Sequence, residues 1–140
     1  MKNSLSALDF FSARLAYEIT PEDLAAAQAT GSSPIVVDAR PEGAWRRGRI
    51  PGALHISCKE VADCDPELLP DEDADIVVYC WGADDHGAAR TVISLIRLGY
   101  TQVRELSGGF SSWEDGGFDI EVEPNQARHM VTPIGAPRAG

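Results

Sequence analysis

Asp75-Ile76-Val77-Val78-Tyr79-Cys80-Trp81-Gly82-Ala83-Asp84-Asp85-His86-Gly87 decides the fold of this chain. Its first half is a short, continuously apolar run rich in β-branched residues, the pattern of a strand buried on both faces. Its second half is a glycine-bearing loop, and from Ala88 the apolar positions Val92, Leu95 and Ile96 recur at helical spacing up to Gly99. A buried strand that runs through a loop into an amphipathic helix is one unit of a parallel sheet. Cys80 stands at the turning point, where unpaired N–H groups and the positive end of a helix dipole favour a thiolate or a sulfur-borne anion. That makes it a candidate nucleophile.

The rest of the chain repeats the alternation. Thr20 reads as an N-cap, with Pro21 at the first helical position and Glu22-Asp23 in the first turn, of a helix that ends near Gly31. Residues 34–38 form a strand, 41–47 a short helix stopped by Gly48, and 53–56 another strand after the Pro51-Gly52 turn. Residues 59–69 are short helical pieces broken at Pro66 and Pro70; 102–106 form a further strand, and Gly108-Gly109 opens a short helix with Phe110 and Trp113. The expected architecture is α/β, an open parallel sheet with helices on both faces. Residues 1–17 are a leader helix, with Leu5, Leu8, Phe11 and Leu15 either as the apolar positions of a short helix or as part of a leader that packs on the domain, residues 18–120 the domain, and residues 121–140 a tail without periodicity.

Composition bounds the function. The 140 residues carry a net charge of −10, which argues against nucleic acid or an anionic membrane as partner. A chain of this size buries roughly 70% of its unfolded surface, so a core forms without metal or disulfides. Three cysteines, Cys58, Cys64 and Cys80, are an odd number without metal-ligand spacing; they suggest a reduced, cytoplasmic setting with no metal and no cofactor. No run of about 18 apolar residues is present. Oligomeric state is not legible.

Open parallel sheets place their sites at the carboxyl ends of strands, which brings together Asp38 and Arg40, Cys58, and Cys80. Here the chain resembles the single-domain rhodanese-like family of sulfurtransferases and their relatives. Four segments carry the likeness in order: Val36-Val37-Asp38-Ala39-Arg40 for its Asp-x-Arg segment, Gly48-Arg49-Ile50-Pro51-Gly52-Ala53 for its Gly-His-Ile-Pro-Gly-Ala turn, Val77-Val78-Tyr79-Cys80 for its catalytic strand, and Gly108-Gly109-Phe110-Ser111-Ser112-Trp113 for its Gly-Gly-x-x-x-Trp close. The resemblance implies that Cys80 takes the outer sulfur of a donor, holds it as a persulfide and passes it to a thiol acceptor. Trp81, Gly82, Ala83, Asp84, Asp85, His86 and Gly87 would form the substrate loop, largely through their backbone, with oriented N–H groups lowering the Cys80 pKa toward neutrality. Asp38 is expected to brace the loops; Arg40 either joins that brace or touches substrate.

Three departures from the family qualify this reading. The loop runs about two residues longer than in the commonest form, as in related phosphatases, but His86 holds the position where those enzymes need a phosphate-clamping arginine, and the next arginine, Arg90, lies a helical turn on. Phosphatase chemistry is therefore disfavoured. Asp84 and Asp85 replace the usual cations; they raise the pKa of a nearby thiol and repel thiosulfate, unless one turns outward to cap the helix. Arg49 replaces a histidine and, with Arg46 and Arg47, forms a basic cluster that is either a solvated face or a dock for an acidic partner. Cys58 is either a resolving thiol for Cys80 or a small core hydrophobe, and Cys64 is incidental. Trp81 is expected to wall the pocket, and His86 to face solvent or pair with a neighbouring carboxylate or the sulfur. Besides sulfur transfer, two functions stay open: a non-catalytic binding module whose acidic loop meets a basic partner, and a redox switch pairing Cys80 with Cys58.

Overall fold

A computed structural model describes residues 5–58, 61–64, 67, 69 and 71–123. Five parallel strands, β1 (Glu18–Ile19), β2 (Ile35–Asp38), β3 (Leu54–His55), β4 (Ile76–Tyr79) and β5 (Val103–Leu106), form one sheet in the order β1-β5-β4-β2-β3. Among the described residues five α-helices accompany them: α1 (Ala7–Tyr17), α2 (Pro21–Ala29), α3 (Glu42–Arg47), α4 (Gly87–Arg97) and α5 (Gly109–Asp115). The open parallel sheet expected from the alternation is the observed one, and β4 lies at its centre between β5 and β2.

Alternation along the central strands splits the core in two. Val37, Ile76, Val78 and Cys80 pack with Ala88 and Leu95 of α4 on one face. Val36, Val77 and Tyr79 pack with Leu24 of α2 and Phe110 and Trp113 of α5 on the other. The period of two thus sends Tyr79 and Cys80, adjacent in sequence, to opposite sides of the sheet. Thr20 caps α2 as its sequence signature implies, accepting the Asp23 N–H at 3.1 Å. The edge strand β1 was not anticipated, because two residues squeezed between two helices show no alternation.

Two expectations need correction. None of the residues of α1 is buried, so Leu8, Phe11 and Leu15 do not form a packing face on the domain. The basic cluster is largely neutralised: Arg49 is buried and pairs with Glu121 and Glu123 at 3.0 Å each, and Arg46 pairs with Glu42 on its own helix. The short bridge between Arg49 and Glu121 also ties the start of the expected tail to the domain. Of the helical pieces expected in 59–69, the described part includes a 3-10 turn at Val61–Asp63; Lys59, Pro66, Pro70 and the tail beyond Glu123 lie outside the described residues.

The element that holds the carboxyl ends of β2 and β4 together is polar. Asp38 is fully buried and takes the Arg40 guanidinium in a fork, from Nε at 3.1 Å and Nη2 at 2.7 Å, together with the Tyr79 hydroxyl at 2.5 Å. Arg40 Nη2 also donates to the Gly48 carbonyl at 2.6 Å, so the guanidinium spans from β2 to the end of α3. Burial pulls the Arg40 pKa down, but its bonds to Asp38 and the charge there outweigh it and the net shift is upward. Its Cζ lies over two aromatic rings, 4.1 Å from the centroid of Phe110 and 4.6 Å from that of Trp81. Removing one member of a buried ion pair strands the other charge. Arg40→Ala is therefore expected to lower the unfolding free energy by about 3–5 kcal/mol in urea denaturation. Tyr79→Phe, which removes one hydrogen bond to the buried carboxylate, should cost about 1.5–3 kcal/mol.

Candidate functional site

Cys80 follows directly on β4, and its backbone is held from the far side by the start of α5. The Phe110 N–H donates to the Cys80 carbonyl and the Ser111 N–H to the Trp81 carbonyl, both at 2.8 Å. This clamp needs Gly109: its φ is +62°, and a Cβ there would lie 2.7 Å from the Cys80 oxygen and 2.8 Å from the Gly82 nitrogen. The Gly-Gly pair read from sequence as a turn is thus part of the site. Above it, a cleft of about 670 Å³ lies between Gly82–Gly87 on one side and Gly108, Ser111 and Ser112 on the other, with Arg90 at its rim. Arg90, Ser111 and Ser112 are cleft residues that the sequence reading did not select; the signal available was the Gly-Gly pair after β5.

Cys80 itself is 5% exposed and lies beneath this cleft. Its Sγ donates to Asp85 Oδ2 at 3.0 Å, and the other carboxylate oxygen, Oδ1, accepts the Gly87 N–H at 2.9 Å. Asp85 therefore does both things the sequence offered as alternatives. It caps the first turn of α4, and it faces the sulfur. The helix-start N–H expected to cradle a thiolate is occupied by the carboxylate instead.

The electrostatics follow. Burial first, then the hydrogen bond to Asp85 and the charges of Asp85 and Asp38, push the Cys80 thiol up to about 12, against a smaller opposing pull from the Trp81 N–H. The expectation of a pKa lowered toward neutrality is corrected: at neutral pH this is a protonated thiol. Asp85 moves the opposite way, held below the usual carboxylate range chiefly by the Cys80 bond and then by the Gly87 N–H. Gly87 is required by this arrangement, since a Cβ on it would lie 2.9 Å from Sγ and 3.2 Å from Asp85 Oδ1.

The other candidate residues are placed as follows. Gly82 sits at the base of the loop, accepting the Asp85 N–H at 3.1 Å; Ala83, Asp84 and His86 are exposed along the cleft. Trp81 covers the Arg40 guanidinium and does not line the cleft. Arg40 is 1% exposed, with its guanidinium fork spent on Asp38. Cys58, offered as a resolving thiol, is bonded to Cys64, their Cα atoms 4.9 Å apart, which leaves Cys80 as the free cysteine. Five residues lie between Cys58 and Cys64, and the described ones among them, Val61–Asp63, form a 3-10 turn. Among the described residues no cluster of His, Cys, Asp and Glu is disposed to hold a metal ion, and no helix is long and apolar enough to cross a membrane.

A central parallel strand ending in a buried cysteine, with the loop after it clamped by a Gly-Gly helix start, defines a class of α/β domain. The chain belongs to the Rhodanese-like domain family, whose pattern it matches over residues 20–115. It is 34% identical over 95 residues to thiosulfate sulfurtransferase GlpE of Pseudomonas entomophila, covering 68% of this chain and 82% of that one. It is 29% identical over 106 residues to adenylyltransferase and sulfurtransferase UBA4 of Candida albicans, covering 71% of this chain but only 24% of that protein. Among solved structures, the BH2092 protein of Bacillus halodurans superposes with a TM-score of 0.71 at 28% identity, over 83% of this chain and 84% of that one.

A raised thiol pKa makes a signed prediction for stability. Below about pH 9 the thiol is protonated in both folded and unfolded chains and contributes nothing differential; between about 9 and 12 the unfolded thiol ionises while the folded one resists, and stability falls. The difference in urea midpoint between wild type and Cys80→Ser should therefore shift against the wild type as pH rises above 9. Gly87→Ala should destabilise by about 1–3 kcal/mol at neutral pH, as expected of overpacking beside the sulfur.

Proposed function

We propose that the chain is a sulfurtransferase that carries sulfane sulfur as a persulfide on Cys80. The observation that carries this reading is the position of the free thiol: it follows directly on the central strand, lies against the loop that borders the cleft, and has its proton held by a carboxylate. Membership of the rhodanese-like family and likeness to proteins named as sulfurtransferases support it. The partners are a sulfur donor and a thiol acceptor, and no cofactor takes part. Thiosulfate is a poor donor here, because Asp84 and Asp85 present negative charge to a dianion at the loop where the sulfur is met.

Domain limits belong to the same proposal: the working unit is 18–120, preceded by a leader, 1–17, that carries α1, and followed by the tail of 121–140, whose first residues anchor on Arg49. The cytoplasmic setting inferred from cysteine number does not follow once Cys58 and Cys64 are bonded. That bond also takes from the redox-switch reading its second thiol. A binding module keeps one observation in its favour, the burial of Cys80, which pushes its thiol pKa up.

Intact-mass measurement after exposure to glutathione hydropersulfide separates the two. A gain of one sulfur in the wild type, absent in Cys80→Ser, is expected, with a markedly smaller yield from thiosulfate. A wild-type Cys80 that stays unmodified under both donors contradicts sulfur transfer and leaves the binding module.

A further inference from the structure

We infer that Asp85 is the proton carrier of the Cys80 reaction, taking the thiol proton as the sulfur attacks and returning it to the departing thiolate, which fits the site to hydropersulfide donors, R–S–S–H. The inference rests on the persulfide reading above and adds to it a residue with a defined role and a donor class.

The geometry supplies the parts. Asp85 Oδ2 is 3.0 Å from Sγ, within direct proton-transfer reach, while Oδ1 is fixed by the Gly87 N–H, so the carboxylate is oriented with one oxygen committed to the sulfur. Asp85 borders the cleft, whereas Cys80 lies beneath it, which puts the carboxylate beside both the sulfur and an incoming donor. The remaining charged groups nearby are otherwise engaged or peripheral. Asp38 is saturated by Arg40 and Tyr79, and Asp84, His86 and Arg90 stand exposed at the cleft.

A thiol that is protonated at neutral pH attacks either through its small thiolate fraction or with its proton leaving as the new bond forms, and only the second route keeps that proton at hand for a basic leaving group. In the step proposed, a lone pair of Sγ bonds to the outer sulfur of R–S–S–H, and the bond between the donor's two sulfurs breaks with its electron pair going to R–S⁻. The Sγ proton passes to Asp85 Oδ2 and from there to R–S⁻. The products are Cys80–S–S–H and R–S–H, Asp85 is again a carboxylate, and no oxidant or reductant is consumed. An alkylthiolate is a basic leaving group, with a conjugate-acid pKa of about 8.5, and gains from the returned proton. Sulfite leaving from thiosulfate is far less basic and gains little, while its dianionic parent is repelled by the same carboxylate.

Asp85→Asn keeps the shape and an oxygen for the Gly87 N–H but cannot carry the proton. Two rates on the same protein at pH 7 test the inference. Alkylation by iodoacetamide needs only the thiolate and a leaving group that takes no proton; with the like charge gone it should rise at least about tenfold. Sulfur uptake by Cys80 from glutathione hydropersulfide should instead fall about a hundredfold, in the range of a lost general base. Asp85→Glu should recover part of the uptake, and Asp85→Ser serves as the carboxylate-free variant should Asn not fold. If uptake rises together with alkylation, or stays unchanged, Asp85 only represses the thiol and the inference is overturned. A wild type that is alkylated at Cys80 but takes up no sulfur overturns the persulfide reading itself, a result distinct from either.

Discussion

The fork between Arg40 and Asp38 is the interaction on which the site depends. Parallel strands β2 and β4 end side by side, and their carboxyl ends would splay without a tie, since the chain leaves each in a different direction. Asp38 closes β2, Tyr79 closes β4, and one buried carboxylate binds both the guanidinium and the phenol. A charge is tolerated there because every oxygen has a partner and the guanidinium is sheathed by Phe110 and Trp81. Those two rings are also the residues that carry the loop and α5, so the brace fixes the floor of the cleft from below.

On that floor the alternation of β4 sets the chemistry. Tyr79 turns down into the brace, and Cys80 turns to the opposite face against α4, where burial and Asp85 keep it protonated. The start of α4, which by itself favours an anion, is given a carboxylate in place of the sulfur. In the proposed reaction such a site would store its nucleophile in the neutral form and release it through a local base, in contrast to a cleft where cations hold a standing thiolate.

Much of this was legible in the sequence where the determinants are local. The apolar run before Cys80, the Thr20 cap and the glycines that break each helix are short-range signals, and the strands and helices they imply are the ones observed. The Asp-x-Arg spacing places two side chains on one face at the end of β2, close enough for the fork, but that the fork is buried under Trp81 depends on α5, which is distant in sequence. The same limit hid three other features. Arg49 meets Glu121 across 72 residues, Cys58 meets Cys64 through a turn with no periodic signature, and β1 is too short to alternate. For Asp85 the sequence offered helix capping or contact with the sulfur as alternatives; a carboxylate has two oxygens, and here each takes one role.

The central claim is that Cys80 is a neutral thiol held by Asp85, and titration of Cys80 by its Cβ NMR shift tests it most directly. The account predicts that the shift keeps its thiol value through neutral pH and moves only near the top of the accessible range, toward a midpoint of about 12. A midpoint at or below about 8.5, the value of an unperturbed thiol, would contradict it.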